Sequence, residues 1–245
     1  MSRRWPAELV IVRHGQSVGN LADQTAQRRG AHRLELPARD ADVELSPTGQ
    51  RQAEAVGRVL GDRRPPDVVL SSPYRRAAAT AAHALRAMGA TPDLILDERL
   101  RERDLGLFDG LTPAGIRSEY PDEAKRRSHV GKFYYQPPSG ESWCDVSLRV
   151  RSLLADLREG YAGARVWLFS HQAVIMTFRY VLEDLSEEQL LEIQRDTQLP
   201  NCSVTSYRAA AEGMELVAFA DATAVEQVAE VTVEQPQAGR GDDLG

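Results

Sequence analysis

Cysteine is almost missing from this chain: Cys144 and Cys202 are the only two in 245 residues. Two cysteines so far apart make neither a disulfide framework nor a cysteine-built zinc site. Both read as small buried side chains. Also missing is any apolar run of membrane-spanning length. The opening "MSRRWPAEL" carries two arginines but no apolar stretch long enough for a signal peptide, so a cytoplasmic protein is expected. Positive charge is not in excess either, with 30 Lys and Arg against 36 Asp and Glu and a net charge of −6. That balance argues against nucleic acid as a partner, and the lack of a long apolar run argues against a membrane. An anionic substrate would need its positive charge gathered in one pocket.

What is present is ordinary for a globular protein: 42% hydrophobic and 27% charged residues, in a chain long enough for a well-buried core. "ELVIVR" near the start is a β-branched run of the kind covered on both faces in a parallel sheet. Further strands are expected at "DVVLSS", "DLIL" and "RVWLFS", with "CSVTSYRA" and "MELVAFA" as a closing pair. Between them lie helical patterns. One opens at Ser46 with Pro47 as its first residue, and another at Ser142, which has the capping-box spacing to Asp145. Strands alternating with helices predict an α/β fold, a three-layer α/β/α sandwich with a mainly parallel sheet. Residues 21–44 read as a polar, irregular surface insertion, and residues 112–140 as mixed structure. The domain is expected to span 1–222. From Thr223 the apolar pattern decays, so 223–245 reads as a disordered tail.

Three of the expected strands end in unusual residues. The first gives Arg13-His14-Gly15, the second "SSPYRRA" with Arg75 and Arg76, and "RVWLFS" gives Ser170-His171-Gln172. In open α/β sheets ligands bind at the carboxyl ends of strands, where helix N-termini add N–H donors. Each motif alone has a plain structural reading, as a core histidine or a solvated helix face. Together they place two imidazoles and an arginine where a phosphoryl group would sit. His32, His83 and His129 share no metal-ligand spacing, and no metal is expected.

"VRHGQSVGN", "SSPYRRAAATA", "LRERDLGLFDG" and "LFSHQAV" resemble, in order, the signatures of the histidine phosphatase superfamily in its phosphoglycerate-mutase-like branch. The resemblance covers roughly Leu9 to Tyr207. It implies a metal-free phosphohistidine mechanism with no cofactor. His14 would be the nucleophile, and Arg13, Arg76 and His171 would hold the phosphoryl oxygens. Asn20 would donate to the phosphate, with Ser17 as a weaker companion. The segment "DERLRERDLG" offers Asp97, Glu98, Glu102 and Asp104, and periodicity does not choose among them. The family pattern points to Glu102 as the proton donor to the leaving oxygen, a role that asks for partial burial. Arg75 is expected to face solvent or a substrate tail. Asn201 is open between closing the pocket and shaping a turn.

Two relatives within that family compete. "SEYPDEAKRR" and "GKFYYQPPSGES" resemble the substrate side of fructose-2,6-bisphosphatases, which would make Tyr134, Tyr135 and Gln172 substrate-binding. That resemblance is incomplete. Met176 stands where an arginine is usual, Arg179 lies one helical turn beyond, and Gln16 replaces the usual Glu. The other relative is the cofactor-dependent phosphoglycerate mutase, which needs a lid over its phosphohistidine. An acidic, Gly-rich tail suits that poorly. The expectation is therefore a phosphomonoester hydrolase acting on a small phosphorylated metabolite such as a sugar phosphate. A mutase is the alternative, and a non-catalytic phosphate-binding scaffold the third reading. Composition leaves a homodimer open.

Overall fold

The computed structural model describes residues 5–62, 64–89, 93–226 and 230–233. In chain order its elements are β1 (Glu8–Arg13), α1 (Val18–Arg29), α2 (Pro47–Gly61), β2 (Val68–Ser71), α3 (Arg75–Met88), β3 (Leu94–Leu96), α4 (Pro113–Glu119), α5 (Pro121–Val130), α6 (Trp143–Gly160), β4 (Arg165–Ser170), α7 (Gln172–Leu182), α8 (Glu187–Asp196), β5 (Val204–Ala209), β6 (Met214–Asp221) and α9 (Thr223–Glu226). Short 3₁₀ turns occupy Asp40–Asp42, Glu98–Leu100 and Gly106–Phe108.

β1 explains the layering. Every residue from Leu9 to Arg13 is buried. Leu9 and Ile11 join one core with α6 and α7, whereas Val10 and Val12 join a second core with α2 and α3. A strand that is apolar on both faces is stable only between two helical layers, and these two cores are the contents of those layers. The sheet runs β3-β2-β4-β1-β5-β6. The first four strands are mutually parallel, and β5 and β6 close the edge antiparallel. The chain is a three-layer α/β/α sandwich, as the strand and helix pattern predicts. Among the described residues no helix is long and apolar enough to cross a membrane.

Three expectations need correction. Residues 21–29 are not irregular but lie in α1, which Ser17 and Asn20 start with a reciprocal cap and Gly30 ends in the left-handed conformation. The helix escapes periodicity because the side chains it buries include Asn20 and Asp23, and Ala26 is the one apolar residue among them. The mixed stretch holds α4 and α5, each with Pro in its first turn, and α5 buries no residue at all. The tail is the third correction. Thr223–Glu226 is helical with Ala224 and Val225 in the core, and Thr232 is buried. "EQPQAGRGDDLG" lies outside the described residues. Of the cysteines, Cys202 is buried, but Cys144 is only half-buried.

Candidate active site

Strand register brings the two histidines together. β1 and β4 are parallel neighbours with Arg13 opposite Ser170, so the next residues, His14 and His171, leave the sheet side by side. The ladder runs one step further, with His14 N–H donating to the Ser170 carbonyl at 2.9 Å. The ring centroids are 5.1 Å apart, close to the spacing of neighbouring strands. His14 Nδ1 meets its neighbour's carbonyl, Gly15 O, at 2.8 Å. A carbonyl only accepts, so Nδ1 carries the hydrogen and Nε2 keeps its lone pair. His171 is fully buried, and its Nε2 meets Ser72 Oγ at 2.9 Å. That hydroxyl also accepts the Tyr74 N–H at 3.2 Å, and with one hydrogen and two lone pairs it serves either tautomer of His171. The other ring nitrogen, Nδ1, is buried with no hydrogen-bond partner among the described residues. Both imidazoles are pushed well below the ordinary 6.5, by burial first and then by the Arg76 guanidinium. They are neutral at pH 7.

The backbone around His14 is clamped. A Cβ on Gly15 would lie 2.5 Å from the Gly49 carbonyl oxygen, and one on Gly49 would lie 2.0 Å from that of Gln16. Only two glycines let the start of α2 approach the loop after β1 so closely. Gly15 N–H donates to Thr80 Oγ1 at 3.0 Å, and Gln16 N–H to Gln52 Oε1 at 2.9 Å. Asn201 Nδ2 donates to the His14 carbonyl at 3.1 Å. Asn20 Oδ1 accepts from Ser17 N–H at 3.0 Å, which leaves its amide hydrogens for the cavity that Asn20 helps to line.

The arginines divide. Arg76 is buried at the start of α3, and its fork is closed on Asp40, with Nη1 to Oδ1 at 2.9 Å and Nη2 to Oδ2 at 3.1 Å. Arg75, one residue earlier, is exposed and pairs with Glu44 at 3.2 Å. Arg13 is buried beneath the site, where it donates to the Leu199 carbonyl. A cavity of about 600 Å³ opens above, lined by His14, Ser17, Asn20, Tyr74, Arg76, Glu102 and Gln172 among others. Glu102 is half-buried. Its loop is held by Arg149, which donates to the carbonyls of Arg99 at 2.6 Å and Glu102 at 3.3 Å.

A family model described as the histidine phosphatase superfamily, branch 1, matches residues 9–222. The chain belongs to the histidine phosphatase superfamily. It is 34% identical over 183 residues to a bifunctional protein of Mycobacterium tuberculosis, a match covering 74% of this chain but 46% of that longer protein. It is 31% identical over 198 residues to a 2,3-bisphosphoglycerate-dependent phosphoglycerate mutase of Chelativorans, covering 78% and 89% of the two chains. Among solved structures, a mycobacterial glucosyl-3-phosphoglycerate phosphatase shares 29% identity at a TM-score of 0.67, over 87% of this chain and 98% of that one.

This histidine phosphatase superfamily member gathers most, but not all, of its sequence-predicted site residues. His14, Arg76, Glu102, Ser17, Asn20 and Gln172 line one cavity, with Arg13 and His171 packed beneath them. Tyr134 and Tyr135 are not brought there. Tyr134 is exposed and bonds Glu187, and Tyr135 turns inward to Glu123 at 2.7 Å. Consecutive residues in that loop point opposite ways, and neither points to His14. Arg179 is turned away too, into Glu183 at 2.7 Å. Of the four acids weighed, Asp97 is tied to Arg99 at 2.7 Å, while both Glu102 and Asp104 line the cavity. Sequence reasoning missed Ser72, Tyr74, Thr80 and Asp40. The first two lie inside the quoted "SSPYRRA", and Thr80 stands one helical turn after Arg76, on the same face. Asp40 gives no sequence signal at all.

Proposed function

We propose that this protein is a phosphomonoester hydrolase that works through a phosphohistidine on His14. One observation carries the reading: two imidazoles 5.1 Å apart, beside a buried arginine, with His14 opening onto a cavity of about 600 Å³. His14 Nε2 attacks phosphorus in line, the N–P bond forms, and the P–O bond to the alcohol breaks. The Nδ1–H bond to Gly15 holds the ring in the attacking tautomer. Arg76, Asn20 and the ring of His171 stabilise the phosphoryl oxygens, and the Arg13 charge beneath adds to the field. Glu102 protonates the leaving oxygen. It then takes a proton from the water that breaks the N–P bond.

The substrate class follows from the rest of the cavity. Gln172, Arg103, Lys132, Gln194 and Gln198 also line it. Amide and cationic donors in a space of that size suit a polar alcohol portion larger than a three-carbon acid, such as a sugar. The solved relative that acts on glucosyl-3-phosphoglycerate supports the same class. The mutase reading is supported by the 31% identity to the Chelativorans enzyme. A turnover assay without bisphosphoglycerate primer separates the two. Release of inorganic phosphate from sugar phosphates, unchanged by EDTA, is expected. A strict primer requirement with little free phosphate would reverse the choice. His14→Ala should lose at least ~10³-fold in kcat and fail to trap an acid-labile phosphoenzyme. Full activity in that variant would remove the covalent step.

A further inference from the structure

Asp40 occupies the guanidinium that the proposed mechanism assigns to phosphate. Arg76 Nη1 donates to the Asp40 carbonyl at 2.6 Å and to its Oδ1 at 2.9 Å, and Nη2 donates to Oδ2 at 3.1 Å. An Nη group has two hydrogens, so Nη1 is fully spent on Asp40. The two partners differ in freedom. The Arg76 side chain is 6% exposed, while that of Asp40 is 40% exposed, in a 3₁₀ turn that buries none of its residues. Both line the cavity together with His14. Asp42 of the same turn and Glu44 just after it face the exposed Arg75 at 3.6 and 3.2 Å.

We infer that Asp40 sets the affinity threshold of the phosphate site, as an internal carboxylate that holds the Arg76 fork until a phosphoryl group displaces it. The inference rests on the reading of Arg76 as a phosphate ligand. A carboxylate carries one negative charge and a phosphomonoester up to two, both in geometries that match a guanidinium fork. A singly charged ligand exchanges like for like and gains little. A dianion gains a full extra charge beside Arg76 and Arg13. Asp40 thereby sets a threshold that free carboxylic acids do not pass.

The test compares wild type, Asp40→Asn and Glu44→Gln. Each is titrated with inorganic phosphate and with acetate by calorimetry and assayed on p-nitrophenyl phosphate. Removing the competing charge should tighten phosphate roughly threefold to tenfold and lower KM in parallel. Acetate, which wild type should barely bind, should gain by a similar factor and become measurable, because both ligands must displace the same carboxylate. Glu44→Gln removes one charge from the same segment without touching Arg76 and should change phosphate affinity by less than about twofold. Unchanged or weaker phosphate binding in Asp40→Asn, with a fall in kcat, would make Asp40 a residue that merely orients Arg76 and would overturn the proposal. An equal gain in Glu44→Gln would overturn it too, since the effect would then be general charge. A wild type that binds phosphate but hydrolyses no ester would instead sink the phosphatase reading, and the titrations would still decide the role of Asp40.

Discussion

At the scale of single residues, a nucleophilic imidazole must be neutral and correctly tautomeric, and a general acid must still hold a proton. His14 meets the first demand by burial and by its Nδ1 contact to Gly15. Glu102 lines the same cavity, half-buried on a loop stapled by Arg149 and Glu141. Proton donation matters most when the leaving alkoxide is poor. Glu102→Gln is therefore expected to lower kcat/KM on an alkyl phosphate by about 10²- to 10⁴-fold. The loss on p-nitrophenyl phosphate, whose leaving group hardly needs a proton, should be far smaller. Steady-state kinetics on the two esters checks this. An equal loss on both would point to another carboxylate lining the cavity, such as Asp104, or to a purely electrostatic role.

At the scale of elements, the site depends on where strands stop and helices start. The β1–β4 register sets the two histidines side by side, and the glycine contact between the β1 loop and α2 fixes the angle at which His14 emerges. Gly49→Ala would drive a methyl group into the Gln16 carbonyl, with backbone on both sides and no flexible side chain to yield. The expected cost is about 1–3 kcal/mol in urea denaturation, with activity falling alongside because the loop that carries His14 must shift. How much of this was legible depends on what each element buries. β1, β2 and β4 bury apolar runs and can be read directly. The Ser142–Asp145 cap on α6 forms as its spacing predicts. α1 and α5 bury little that is apolar, so periodicity is silent there. Their signals are Ser17 and Gly30 for α1 and Pro121 for α5, and these are cap residues that also occur in plain turns.

At the scale of the whole molecule, residues distant in the chain close the back of the site. Thr232 Oγ1 donates to Asn201 Oδ1 at 2.9 Å and accepts from Gln52 Nε2 at 2.8 Å, while Asn201 holds the His14 carbonyl. The segment 230–233 therefore belongs to the folded unit. Burying two neutral histidines also ties stability to pH. Their folded-state values lie well below 6.5, so between that pH and their lowered values the unfolded chain binds more protons. Their contribution is fully present above about pH 6.5 and is lost as pH falls, by up to about 1.4 kcal/mol per group per pH unit. Urea midpoints from pH 7 to pH 5 should fall accordingly, and more shallowly in His171→Gln. A slope identical to wild type in that variant would show that His171 is not held neutral.

The sequence by itself determined the α/β class, the strand ends at which His14 and His171 stand and the helix start that carries Arg76. Apolar periodicity and cap chemistry are local properties that a chain carries whether folded or not. Family resemblance, also written in the sequence, singled out Glu102 among four nearby acids. Tertiary structure alone decided that Tyr134 and Tyr135 stay out of the cavity, that Thr232 braces the floor through Asn201, and that Asp40 reaches Arg76. Those outcomes depend on which surfaces meet once the layers pack. A polar side chain on a loop has no period, so nothing in its neighbours predicts the partner it will find.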